Sequence, residues 1–69
     1  MNDAEKLPIL LEHWIEHNAA HEAEFAKWAQ RAEAAGLKDV GNDITQAAEA
    51  LRGASHRLQT ALSSLRGSA

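Results

Sequence analysis

An all-α fold is predicted by three observations. Alanine, glutamate and leucine dominate while β-branched residues are scarce. Two long stretches carry apolar residues at alternating steps of four and three. The break between them is short and contains Gly36. Such a connection forces two long helices antiparallel, so residues 1–69 should form one helical hairpin domain.

The first stretch reads Leu7, Leu11, Trp14, Asn18, His21, Phe25, Trp28, Ala32, Ala35, a heptad seam with two polar residues in its middle. It predicts a helix over 7–35. Pro8 suits the first turn, where its missing N–H has no partner within the helix, and Gly36 suits the position just past the last turn. Asn2, Asp3 and Glu5 resemble a capping sequence, but a helix continued through Pro8 loses a backbone hydrogen bond. The first six residues are therefore expected to be largely irregular.

The second stretch reads Leu37, Val40, Ile44, Ala47, Leu51, Ala54, Leu58, Ala61, Leu65, widened by Ala48, Ser55 and Leu62, and predicts a helix over about 39–66. Asp39 or Asn42 is the expected N-cap, with Asp43 and Gln46 as an alternative box, and Arg66 followed by Gly67 suits the C-terminus. Small residues on this seam should let Trp14, Phe25 and Trp28 lie against it as core anchors. The expected register sets Trp14 near Leu62, Phe25 near Leu51, and His21 near Ser55 and His56. Gly53 lies inside helix two at a cost of about 1 kcal/mol relative to alanine.

Size sets a further expectation. A 69-residue chain buries too little apolar surface to be comfortably stable without a staple, a metal or a partner, so the hairpin is expected to pair with itself into a dimeric four-helix bundle. No cysteine is present, which excludes disulfides, thiolate metal sites and a cysteine nucleophile. The net charge is -3 and no lysine–arginine cluster supplies the stripe that phosphate backbones require, so nucleic acid is not an expected partner. No apolar run approaches the roughly 20 residues of a membrane span. A cytoplasmic protein without membrane contact is expected. Residues 2–36 hold seven acids and three bases, and 37–69 three acids and four bases, so the charges favour the hairpin over two copies of helix one side by side.

The chemistry lies in His13, His17 and His21, one helical turn apart, with His56 on helix two. A step of four residues rotates by about 40° beyond a full turn and rises about 6 Å, so neighbouring members can share one ion while His13 and His21, about 12 Å apart, cannot without distortion. His17 with His21, or His13 with His17, matches the i, i+4 spacing of helical metal sites. A full coordination sphere then needs His56, Glu24 or a histidine of a second chain. On the heptad reading His21 points inward, His17 lies beside the seam, and His13 and His56 are exposed. Imidazole suits nickel, copper, zinc and cobalt alike.

A competing reading has no metal. Asn18 and His21 then form a buried polar layer that fixes register in a structural dimerisation or docking module. Catalysis is not expected. Leu10, Trp14, Asn18 and Gly53 stand three residues before the four histidines, so the E-x-x-H pairs of di-iron bundles are absent. Ser63, Ser64 and Ser68 read as solvated serines without a base, and alanines and tryptophans fill the seam where a haem would sit. Hydrolysis by an incompletely coordinated ion is the weakest alternative.

The run His13-Trp14-Ile15-Glu16-His17-Asn18-Ala19-Ala20-His21, followed by Phe25, Trp28-Ala29 and the alanine–leucine second helix, resembles the helical domain that accompanies some small CooT-type nickel-binding proteins. The resemblance spans about Leu7 to Arg66. It implies transition-metal handling, with nickel as the ion of that family, at His13, His17 and His21. In that family the helical domain follows a small β-rich domain whose N-terminus is implicated in nickel binding, and the present chain has no matching segment, so those ligands are not carried over.

Overall fold

The structure, a computed structural model, describes residues 1–67; Ser68 lies outside the described residues. Two helices, α1 (Asp3–Ala34) and α2 (Lys38–Leu65), pack against each other as an antiparallel hairpin. The molecule is a slab of 50 × 22 × 13 Å. Its smallest dimension is close to the diameter of one helix, so nearly every side chain keeps a route to solvent.

α1 starts four residues earlier than the sequence predicts. Asn2 caps it: the Asn2 side chain accepts from the Glu5 N–H at 2.9 Å, and Glu5 reaches back to the Asn2 N–H at 3.5 Å. Pro8 therefore lies inside the helix. Its missing N–H leaves only the Ala4 carbonyl without its intrahelical partner, and the capping box offsets that loss. Asn2→Ala should cost about 1 kcal/mol, read as a lower melting temperature with fraying confined to the first two turns.

The far end of α1 follows expectation. Gly36 adopts φ +83°, its N–H donates to the Glu33 carbonyl, and the Leu37 N–H donates to the Ala32 carbonyl at 2.9 Å. These two bonds form a Schellman motif, which needs a left-handed residue at Gly36. Leu37 also begins α2, because its carbonyl accepts from the Gly41 N–H at 3.0 Å. Neither Asp39 nor Asn42 is the cap; the N-cap is Leu37, without a side-chain hydrogen bond. The Schellman turn already delivers the chain into α2, so no polar cap is required.

Both helices are rotated relative to the predicted seams. The positions facing the partner helix in α1 are Leu11, Ile15, Asn18, Glu22, Phe25, Ala29 and Ala32, and in α2 Gly41, Ile44, Ala48, Leu51, Ser55, Leu58 and Leu62. Every second position agrees with expectation. The others shift by one residue in α1, from Trp14, His21 and Trp28 to Ile15, Glu22 and Ala29; in α2 Val40 gives way to Gly41, while Ala48, Ser55 and Leu62, expected at the flank of the seam, take its centre from Ala47, Ala54 and Ala61. Volume decides this. A Cβ placed on Gly41 would lie 2.8 Å from the Ala29 carbonyl oxygen, so the backbones nearly touch there and only Ala29, not Trp28, fits the contact.

The core is correspondingly small: Leu11, Ala29, Ala48 and Leu62, with Leu62 the most buried at 2% exposed. Trp14 and Trp28 are 41% and 46% exposed and are not core anchors. The Glu22–Arg52 pair, at 3.5 Å, sits about three residues off the expected register, whereas Glu12 pairs with Arg66 close to it. Phe25 and Leu51 flank one hollow, as expected, but His21 shares that hollow with Ala47 and Ala50 rather than meeting Ser55 and His56. Gly53 is exposed with nothing within 4 Å of an added Cβ. Gly53→Ala should therefore stabilise the hairpin by up to about 1 kcal/mol, measurable by urea unfolding.

Two broad faces result. One is polar, with Glu12, Glu16, Gln59 and Arg66 at one end and Gln30, Glu33, Thr45, Glu49 and Arg52 at the other. The opposite face is apolar and exposed, carrying Leu7, Leu10, Trp14 and Trp28 from α1 and Leu37, Val40 and Leu65 from α2. No described helix is long and apolar enough to cross a membrane.

Candidate metal centre

Residues 13, 17, 21 and 25 fall on successive turns of α1, and their rings form a column along it. The His13 and His17 rings are stacked, with centroids 6.2 Å apart and an interplanar angle of 21°. His17 and His21 meet edge to face, with centroids at 4.5 Å, and the His21 ring leans on Phe25 at 5.9 Å. Phe25 is half-buried against α2, so it anchors the column from the core side.

The chemistry concentrates in one contact. His17 Nε2 and His21 Nε2 lie 3.0 Å apart. Without metal this is an imidazole–imidazole hydrogen bond, one ring donating its N–H to the other's lone pair. With both rings neutral and their Nδ1 atoms carrying the protons, both Nε2 lone pairs are free, and a rotation of the rings off the hydrogen-bonded line turns them toward one ion. Two metal–nitrogen bonds of about 2.0–2.1 Å separate their nitrogens by about 2.9 Å at a right angle and about 3.4 Å at a tetrahedral angle. The observed spacing matches the right-angle bite of square-planar or octahedral ions, which nickel and copper favour.

The inward orientation expected of His21 is not observed; His21 is exposed because Glu22 takes the seam position beside it. This removes His21 from the expected polar layer as well. Asn18 stays half-buried in the α1 seam, and in the α2 seam the Ser55 hydroxyl is buried without a hydrogen-bond partner.

The remaining candidates are dispersed. His13 stacks on His17 rather than turning a nitrogen toward the pair. His56 follows the helical stripe of Arg52 and Gln59, which border the polar face, whereas His21 borders the apolar one. The hairpin thus separates His56 from the ladder. Glu24 accepts the Trp28 indole N–H at 2.9 Å, and the Arg31 guanidinium covers that ring at 4.9 Å from its centroid. Among the described residues no group of three metal-capable side chains converges. One chain offers two converging nitrogens.

Gly41 and Ser55 were not singled out for these roles by the sequence. The 3–4 spacing Gly41, Ile44, Ala48, Leu51, Ser55 holds the signal, masked by the more apolar Val40 beside Gly41 and Ala54 beside Ser55.

A family model described as a domain of unknown function, DUF8180, matches residues 7–65. No curated protein and no solved structure matches the chain.

Proposed function

The chain belongs to the DUF8180 family, and from its own residues we propose that it is a small non-enzymatic protein binding a divalent transition ion through His17 and His21. The observation that carries this reading is the 3.0 Å approach of the two Nε2 atoms. His13 is the nearest further imidazole and assists from the adjacent turn, while His56 serves only through another chain. Nickel is the favoured ion, because its preferred right-angle coordination fits the pair and because the histidine run resembles that of the nickel-associated helical domain. The exposed apolar face supports self-association into a dimeric four-helix bundle, acting in the cytoplasm without nucleic-acid or membrane partners.

Isothermal titration with nickel, copper, zinc and cobalt tests the reading. Saturable binding with an affinity order favouring nickel and copper over zinc is expected, and acidification should release the ion because protons compete for the same lone pairs. Heat only of dilution for all four ions contradicts it.

A second reading rests on the apolar face alone: a dimerisation module in which Asn18 and Ser55, rather than Asn18 and His21, form the polar layer of the seam. It expects a melting temperature that is the same with chelator as with nickel.

A further inference from the structure

The outer edge of α1 carries a second pattern that the hairpin does not use. Leu10, Trp14, His17, His21, Glu24 and Trp28 are all exposed and follow one another at steps of four, three, four, three and four. This order of steps reads the same in both directions. Its midpoint is Ala19, close to the middle of α1 (Asp3–Ala34). A second α1 laid antiparallel about that midpoint matches Leu10 with Trp28, Trp14 with the Glu24–Trp28 pair, and His17 with His21.

Resting on the metal-binding reading above, we propose that a second copy of this chain packs antiparallel on the apolar face, α1 against α1, and that its His17–His21 pair completes one metal site shared by both copies. Three observations converge on a second copy as the occupant. First, each chain supplies two nitrogens and among the described residues no third donor converges with them, so the site is half built. A two-fold axis at the pair supplies the other half with the same geometry. Second, α1 runs for 32 residues, so two of them laid antiparallel are in register along the whole length of the slab. Third, the face is rich in what interfaces bury, with Trp14 and Trp28 both more than 40% exposed.

A site whose ligands come from both copies couples association to the ion. Association should therefore depend on the ion.

Sedimentation velocity and calorimetry with nickel chloride on the full chain test the proposal. Expected are one ion per two chains, a dimer dissociation constant at least tenfold lower with nickel than with chelator, and loss of that difference in His17→Ala. Binding of one ion to each monomer, lost in His17→Ala, overturns the shared site and leaves the metal-binding reading intact; absence of nickel binding overturns both. Orientation is read from cross-linking, because the chain has no cysteine of its own. Leu7→Cys chains mixed with Arg31→Cys chains should form mixed disulfide dimers in nickel, whereas Leu7→Cys chains linking to themselves would overturn the antiparallel arrangement. Circular dichroism of each variant separates loss of association from loss of fold.

Discussion

Gly41→Val should leave the hairpin largely unfolded at room temperature, and Gly41→Ala should destabilise it by about 1–3 kcal/mol. The added atoms have nowhere to go. Even a single Cβ meets the Ala29 carbonyl oxygen at 2.8 Å and the Glu33 backbone nitrogen at 3.4 Å, and backbone cannot swing aside as a flexible side-chain tip can. Separating the helices to make room weakens the Ala29 and Ala48 contacts next to it, which are half of the buried apolar core. A domain of this size has only a few kcal/mol of net stability to lose. Thermal melts followed by circular dichroism check the order: Gly53→Ala above wild type, Gly41→Ala well below it, Gly41→Val without a cooperative transition. A Gly41→Ala melt equal to wild type contradicts the close helix crossing.

His17→Ala combined with His21→Ala should abolish saturable nickel binding and with it the stabilisation that the ion confers. At a free ion concentration a hundredfold above Kd, binding to the folded state alone adds about 2.7 kcal/mol, a rise of many degrees in melting temperature for so small a domain. Both rings are exposed and neither supports the seam, so the variant should fold without metal as well as the wild type does. His56→Ala is the matching control on the polar face and should leave affinity within about twofold. Melting curves with nickel and with chelator give all four comparisons. A double variant that still gains stability from nickel would move the site elsewhere.

The fold class and the turn were legible because they rest on local chemistry. Gly36 ends α1 where its left-handed conformation was expected, and every second seam position, from Leu11 through Phe25 and from Ile44 through Leu58, faces the partner helix. The rotation of the seams was not legible, because hydrophobicity and volume point in opposite directions at Trp28 and Ala29. Ranking by hydrophobicity puts the tryptophan inside; the backbone contact at Gly41 admits only the alanine. The same rotation carries His21 from the seam to the surface and Glu22 into its place, next to Arg52. The early start of α1 was hidden for a related reason. Pro8 argues against helix locally, while the Asn2–Glu5 capping box argues for it, and the box prevails.

The histidine spacing was legible as a ladder, and the heptad reading favoured the His17–His21 rung over His13–His17, though on an inward orientation of His21 that the structure does not have. By spacing alone the two i, i+4 pairs are equivalent. They differ in the structure because the His21 ring leans on the half-buried Phe25 and meets His17 edge to face, while His13 has only a stacked neighbour. His56 could not be assigned from sequence, since its face depends on the helix rotation that the apolar pattern misplaced.

The central claim is that His17 and His21 act as one ligand pair through Nε2. Zinc titration followed by ¹H–¹⁵N spectra of the histidine ring nitrogens addresses it residue by residue, zinc being diamagnetic. The account predicts that the Nε2 signals of His17 and His21 shift together and saturate together, with a smaller change at His13 and none at His56. Equal shifts at all four histidines, or a response at Nδ1 in place of Nε2, would contradict it.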